Sequence, residues 1–196
     1  QGRRWDWVEL RPQTLCGFTP GTAMSILPAI AVYAAISKAL GLPLRFPGKP
    51  DAYTSLYQVT ASDHMANAAL WAASEPRAAN QAYNITNGDL FRWKNLWPRL
   101  AEAFEMPVGD VQTISLVQQM ADMQPLWQRL VERHGLRPIA WEQLVAWPFA
   151  DYVFATTWDV VSNVTKCRQH GFHEVVDSEE MFVRLLTRLR QERVVP

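Results

Sequence analysis

Between Ala23 and Leu40 the chain carries a helical segment with apolar residues on almost every side. Ile26, Leu27, Ile30, Ala31, Ala34, Ala35 and Leu40 cover so much of the circumference that little of it can face water. Such a helix has to be wrapped by other elements. Gly41 ends it, because glycine takes the left-handed conformation that closes a helix most readily. The chain has 196 residues, 48% of them hydrophobic and 19% charged, which suffices for one sizeable core and is too apolar for disorder.

The elements around this helix alternate in the α/β manner. Trp7, Val8 and Leu10, followed by the turn at Arg11-Pro12, read as a strand after only six leader residues, with no earlier element to pair with. An apolar strand placed so early lies at a sheet edge or joins a sheet built elsewhere, so Gln1 reads as a truncation point. Leu42 to Gly48 is extended and punctuated by proline, and Leu56 to Val59 is a short strand. Ser62 then caps a helix whose stripe is Met65, Ala66, Ala69, Leu70 and Ala73. Ala82 to Thr86 is a strand, and Asn87-Gly88-Asp89 is a loop into a helix carrying Trp93, Leu96, Trp97, Leu100, Ala101 and Phe104. Pro98 fits that helix only if its first full turn starts near Asn95.

The rest is helix-rich. Helices are expected over Ile114 to Met123, Leu126 to His134 with a stop at Gly135, Trp141 to Phe154 with a break at Pro148, and Trp158 to His170 with a stop at Gly171. The last helix has capping-box spacing at Asp177 and Glu180 and an apolar face of Met181, Phe182, Leu185, Leu186 and Leu189. No repeat or low-complexity linker divides the chain. It reads as a single unit over 1–196, with an α/β part at 1–90 and a mainly helical part at 91–196.

Composition narrows the partners. Lys plus Arg and Asp plus Glu are equal at 19 each, so charge gives no reason to expect nucleic acid or an anionic membrane. No apolar run approaches the roughly 18 to 20 residues of a membrane span, and the start holds no signal pattern, which makes a cytoplasmic protein the default. Cys16 and Cys167 are too few and too far apart for a disulfide scaffold or a cysteine-based zinc site, and read as inert thiols. The nine tryptophans, without a basic excess, are core and inter-helix packing. His170 and His173 straddle Gly171 without an acidic or cysteine partner, so no metal site is assigned. Ser62-Asp63-His64 has triad residue types, but sequence neighbours cannot orient one another as a triad does.

Several ordered runs carry a resemblance. Trp7-Val8-Glu9-Leu10-Arg11-Pro12, Gly17-Phe18-Thr19-Pro20, Ala31-Val32-Tyr33-Ala34-Ala35-Ile36 and Leu42-Pro43-Leu44-Arg45-Phe46-Pro47-Gly48 come first. Tyr83-Asn84-Ile85-Thr86-Asn87-Gly88-Asp89, Arg92-Trp93, Trp147-Pro148-Phe149-Ala150-Asp151, Gly171-Phe172 and Val194-Val195-Pro196 continue in order. Together they resemble the second half of the progesterone-5β-reductase and iridoid-synthase-like enzymes, within the extended short-chain dehydrogenase/reductase superfamily. The resemblance implies an α/β, Rossmann-like fold that is helix-rich with a few short strands, here without its N-terminal dinucleotide-binding half.

By that resemblance the parent enzyme reduces an enone or carbonyl with NADPH or NADH. The family's glycine-rich pyrophosphate turn has no counterpart among these isolated glycines, and its catalytic Tyr and Lys lie upstream of the segment matching Trp5 to Pro12. No catalytic residue is therefore assigned, and the chain alone is expected to be inactive and not to hold the cofactor. Pro12, Gln13 and Leu15 match a turn beside the nicotinamide. Met24, Ser25, Ser62 and Phe149 match substrate-lining positions, Ser25 standing where related enzymes commonly have Asn. Read from the residues alone, Met24 and Phe149 serve equally as core and Ser62 as a helix cap. A non-catalytic ligand-binding or interaction module, and a sugar-nucleotide epimerase or dehydratase, stay open as alternatives. Self-association, or pairing with the missing half, would cover the first strand.

Overall fold

A computed structural model describes residues 5–196, so Gln1 lies outside the described residues. In chain order the elements are β1 (Val8–Pro12), β2 (Leu15–Cys16), α1 (Ile26–Ala39), α2 (Pro50–Thr54), β3 (Leu56–Tyr57), β4 (Thr60–Ala61), α3 (Ser62–Ser74), β5 (Gln81–Ile85), β6 (Phe91–Arg92) and α4 (Trp93–Ala103). Then come α5 (Leu116–Gln119), α6 (Gln124–His134), α7 (Trp141–Leu144), α8 (Trp147–Phe154), α9 (Thr165–Gln169) and α10 (Ser178–Gln191), and a 3-10 turn spans Pro76–Ala78. Among the described residues every named strand ends by Arg92, and the elements after it are helical.

The first strand does have a neighbour in the chain. β1 pairs in parallel with β5, Val8 opposite Gln81 and Pro12 opposite Ile85, a partner that the local pattern around Trp7 does not reveal. β2 pairs in parallel with β4, and β3 pairs antiparallel with β6. Because β6 pairs with β3 rather than with β5, the Asn87-Gly88-Asp89 segment is a connecting loop, with Gly88 at φ 92°.

α1 is buried from Ile26 through Ser37, as its all-round apolar pattern requires, and Gly41 comes just after it at φ 70°. α8 and α10 pack against it. Around them Phe46, Trp93, Trp97, Phe154 and Phe182 form one aromatic cluster with ring centroids mostly 5–6 Å apart, largely edge to face. The tryptophans of this cluster, with Trp127 and Trp147, are buried.

Several expectations need correction. α3 starts at Ser62 itself, with Ala61 at the cap position and no side-chain capping bond, so Ser62 is not the N-cap. The helix also presents a different face. His64, Ala68 and Ala72 point inward, while Ala66, Ala69, Leu70 and Ala73 are exposed, Leu70 by 71%. Alanine differs too little between core and water to mark a face, and the large rings of Trp71 and Phe172, 5.3 Å apart, decide the orientation instead. α4 begins at Trp93, so Pro98 lies inside it. Pro98 and Lys94, whose carbonyl loses its partner, are both exposed, and water can satisfy that carbonyl.

Two predicted helices are much shorter. Of Trp158 to His170 only Thr165–Gln169 is helical, because the preceding backbone is held elsewhere. Val160 N–H donates to the Leu56 carbonyl, Ser162 N–H to Gln58 Oε1, and the Asp159 carboxylate accepts the Leu56 N–H. Of Ile114 to Met123 only α5 is helical, since Ile114 N–H donates to the Pro47 carbonyl. Its start is capped twice over. Ser115 Oγ accepts the Gln118 N–H, and the Asp151 carboxylate on α8 accepts the Leu116 N–H at 2.7 Å and the Ser115 hydroxyl at 2.9 Å. α7 and α8 are separate, with the break at Val145 and Ala146 and Pro148 in the first turn of α8, and Asp177 caps α10 by accepting the Glu180 N–H at 2.8 Å, the latter as the sequence indicates.

Candidate functional site

The two parallel ladders end side by side. β1 and β5 finish at Pro12 and Ile85, and β2 and β4 finish at Cys16 and Ala61. In open α/β sheets, ligands gather outside the carboxyl ends of parallel strands, which makes this edge the candidate site.

One side chain joins the ladders. The fully buried Thr60 hydroxyl accepts the Gln13 N–H at 3.1 Å and donates to the Ile85 carbonyl at 2.8 Å, while Thr60 N–H donates to the Thr14 carbonyl at 3.0 Å. The turn from Pro12 to Cys16 is thus fixed from inside. From outside, Gln13 Nε2 donates to Ser162 Oγ at 2.6 Å, and the Thr14 hydroxyl meets the Tyr57 hydroxyl at 2.9 Å. Burial pushes the Tyr57 hydroxyl above its usual pKa, so it stays protonated and able to donate. Pro12 and Leu15 stand at the exposed surface of this turn, Leu15 with 47% of its area open.

Ser62 lies directly against the same turn. Gly17 packs so closely on it that a Cβ there would sit 2.4 Å from Ser62 Oγ, so only glycine allows the approach. Behind Ser62 the Ala61 N–H donates to Asn87 Oδ1 at 2.6 Å, and Asn87 Nδ2 donates to Ser178 Oγ at 3.0 Å. Ser178 in turn gives its N–H and its hydroxyl to the Asp89 carboxylate, at 2.7 and 2.6 Å. This buried knot ties the start of α3 to the start of α10.

Met24, Ser25 and Phe149 form a second group. The Ala146 N–H donates to the Ala23 carbonyl at 3.0 Å, which brings the start of α8 beside the start of α1. Phe149 is partly buried against the core and Met24 is 71% exposed. Ser25 is 4% exposed and its hydroxyl has no hydrogen-bond partner among the described residues, although it stands at the cap position of α1.

On the inner face of α3, His64 is 2% exposed, packs against the tilted ring of Phe172 at 5.0 Å and lies 3.8 Å from a Glu174 carboxylate oxygen. Its burial lowers its pKa below the ordinary histidine range, so the ring is held neutral. His170 is bound at Nδ1 to the Tyr83 hydroxyl at 2.6 Å. Both thiols are buried, and burial raises their pKa.

The pattern of the PRISE-like Rossmann-fold domain matches residues 1–196. This chain belongs to that family. The PRISE-like chain is 32% identical over 195 residues to an (S)-8-oxocitronellyl enol synthase of Camptotheca acuminata, covering 97% of this chain and 50% of the relative. A Nepeta racemosa protein of the same description is 35% identical, with 48% of its length covered. The 3-oxo-Delta(4,5)-steroid 5-beta-reductase of Arabidopsis thaliana is 32% identical, with 50% covered. The chain thus spans about half the length of these relatives.

Solved structures agree on the fold of the PRISE-like chain. The terminal R domain of the myxalamid PKS-NRPS pathway superposes with a TM-score of 0.55 at 13% identity, covering 96% of this chain and 45% of that one. The Bordetella bronchiseptica enzyme WbmG, in complex with NAD and UDP, superposes with a TM-score of 0.54 at 15% identity, covering 98% and 47%. Among the described residues no helix is long and apolar enough to cross a membrane.

Two features of the site escape sequence reasoning. Thr60 and Asn87 carry its internal geometry, yet each is a common polar residue beside a short strand, with no spacing signature. Gly17 carried a signal, since an isolated glycine next to a strand marks a close approach.

Proposed function

We propose that the chain is the substrate-binding portion of an NAD(P)H-dependent reductase that acts on an enone or carbonyl of a small, mostly apolar molecule. The observation that supports this reading most is the shared edge where Pro12, Cys16, Ala61 and Ile85 end two parallel ladders. The relatives include a steroid reductase and enol synthases, which suits a flat apolar substrate.

The residues fit one end of a nicotinamide dinucleotide. Pro12 and Leu15 offer an exposed apolar rim, and Gln13 is held at both its backbone and its side chain, so the turn is rigid before anything binds. The pyrophosphate end is another matter. Of the strand-to-helix connections among the described residues, Ala61–Ser62 and Arg92–Trp93 carry no glycine, and the one from β2 to α1 holds Gly17 and Gly21 without the fingerprint spacing. In the parent enzyme the cofactor supplies hydride, while Pro12, Gln13 and Leu15 line its nicotinamide end. Met24, Ser25, Ser62 and Phe149 line the substrate. The buried, unpartnered Ser25 hydroxyl is suited to bind a substrate oxygen, and Phe149 and Met24 to cover apolar surface.

By the same reading the chain taken alone is inactive in the cytoplasm, and its open β1 edge is covered by a second copy or by the family's N-terminal half, of which only the latter brings catalytic residues. Titration calorimetry with NADPH tests this, with no binding expected in the micromolar range. A micromolar dissociation constant would overturn it. Fusing the N-terminal half of the Arabidopsis relative to this chain should restore NADPH-dependent reduction of an enone, and a folded but inert chimaera would oppose the assignment.

A further inference from the structure

Four helices end at one place, away from the ladder edge. The last turns of α1, α6 and α10 and the residue just after α4 line a groove of about 430 Å³. Helix C-termini carry partial negative charge, and basic side chains gather there to offset it: Lys38, Arg133, His134 and Arg190. Two of these already hold partners. Lys38 Nζ donates to the Phe104 carbonyl at 2.7 Å and pairs with Glu105 at 3.3 Å, and Arg190 Nη1 donates to the Ala103 carbonyl at 2.8 Å.

Arg133 and His134 are in a different condition. Both are exposed, and neither side chain makes a hydrogen bond or ion pair within the described residues. They stand over a floor made by Ala35, Ala39, Leu130 and Phe104, with Pro196 at its side. A free guanidinium beside apolar surface suits a ligand with an anionic head and a short apolar body, since Arg grips a carboxylate with two parallel hydrogen bonds. The volume lies in the range of small-molecule sites.

We propose that this groove binds a small amphiphilic carboxylate, with Arg133 as the head-group contact and the Leu130–Ala39 floor as the seat of the apolar body. The site is separate from the ladder edge and does not rest on the reductase reading. Calorimetric titration of the 196-residue chain with octanoate, octanol and inorganic phosphate tests it. Octanoate should bind more tightly than either of the others. Arg133→Gln should weaken octanoate about tenfold, the worth of a charge-assisted hydrogen bond. Ala39→Trp should abolish binding by filling the floor while keeping every cation, and Leu70→Ala, on the exposed face of α3, should leave it unchanged. Phosphate binding as well as octanoate, equal affinity in Arg133→Gln, or no octanoate binding at all would each overturn the proposal. All three variants change exposed positions, and unchanged circular dichroism separates lost binding from lost fold.

Discussion

Gln13 donates its backbone N–H to the Thr60 hydroxyl, 3.1 Å away, and that hydroxyl donates in turn to the Ile85 carbonyl at 2.8 Å. A single buried oxygen thereby sets the spacing between two ladders that share no strand.

Thr60→Val keeps the shape and removes both bonds, leaving a buried N–H and carbonyl unpaired. It should destabilise the fold by about 1–3 kcal/mol in urea titration, and Thr60→Ser by less, because the hydroxyl survives. A smaller loss for Thr60→Val than for Thr60→Ser would show that packing of the methyl group, not the shared hydroxyl, is what matters.

Gly17 and Ser62 should be coupled. A Cβ at position 17 would meet Ser62 Oγ at 2.4 Å and Ser62 Cβ at 2.7 Å. Gly17→Ala should therefore lower the melting temperature, and adding Ser62→Gly should recover much of the loss. A double-mutant cycle with an interaction energy near zero would mean that the strain is relieved elsewhere.

Stability should depend on pH through His64. Its folded pKa lies below the ordinary value of about 6.5, because the ring is buried. As pH falls below that ordinary value the unfolded chain takes up a proton that the folded ring refuses, so stability present at neutral pH is lost toward the folded pKa. Urea unfolding between about pH 8 and pH 5 should show this fall, and His64→Leu should flatten it. An unchanged slope in the variant would assign the dependence to other groups.

The outer edge of β1 should drive association. Trp7 is 40% exposed beside it, and Trp158 is 62% exposed on the segment before α9. Sedimentation at rising concentration should show a dimer, weakened about thirtyfold by Trp7→Ala, as for a tryptophan at an interface centre, and hardly by Trp158→Ala. A compact monomer at high concentration would return the chain to the reading of an autonomous module.

How local each signal was decides how much of the fold the sequence made legible. α1 and α10 rest on residues a few positions apart, and the structure has them where the periodicity and caps place them, whereas the break expected at Pro148 falls just before it, at Val145 and Ala146. The face of α3 was not legible, because its stripe was mostly alanine and the deciding contact comes from Phe172, far along the chain. The segment before α9 was apolar enough to suggest a helix, but its backbone bonds go to Leu56 and Gln58. Of the candidate site, the turn and Gly17 could be named in advance, whereas Thr60 and Asn87 act through long-range bonds that leave no local pattern.

The Asp151 carboxylate joins two helices that also pack directly against each other, and this has a mechanical meaning. A helix as short as α5 is marginal by itself, and α8 supplies the carboxylate that caps its first turn alongside Ser115. Phe149 sits two residues before Asp151 on that same short rod. α8 therefore carries at once the ring of Phe149 and the carboxylate that caps α5.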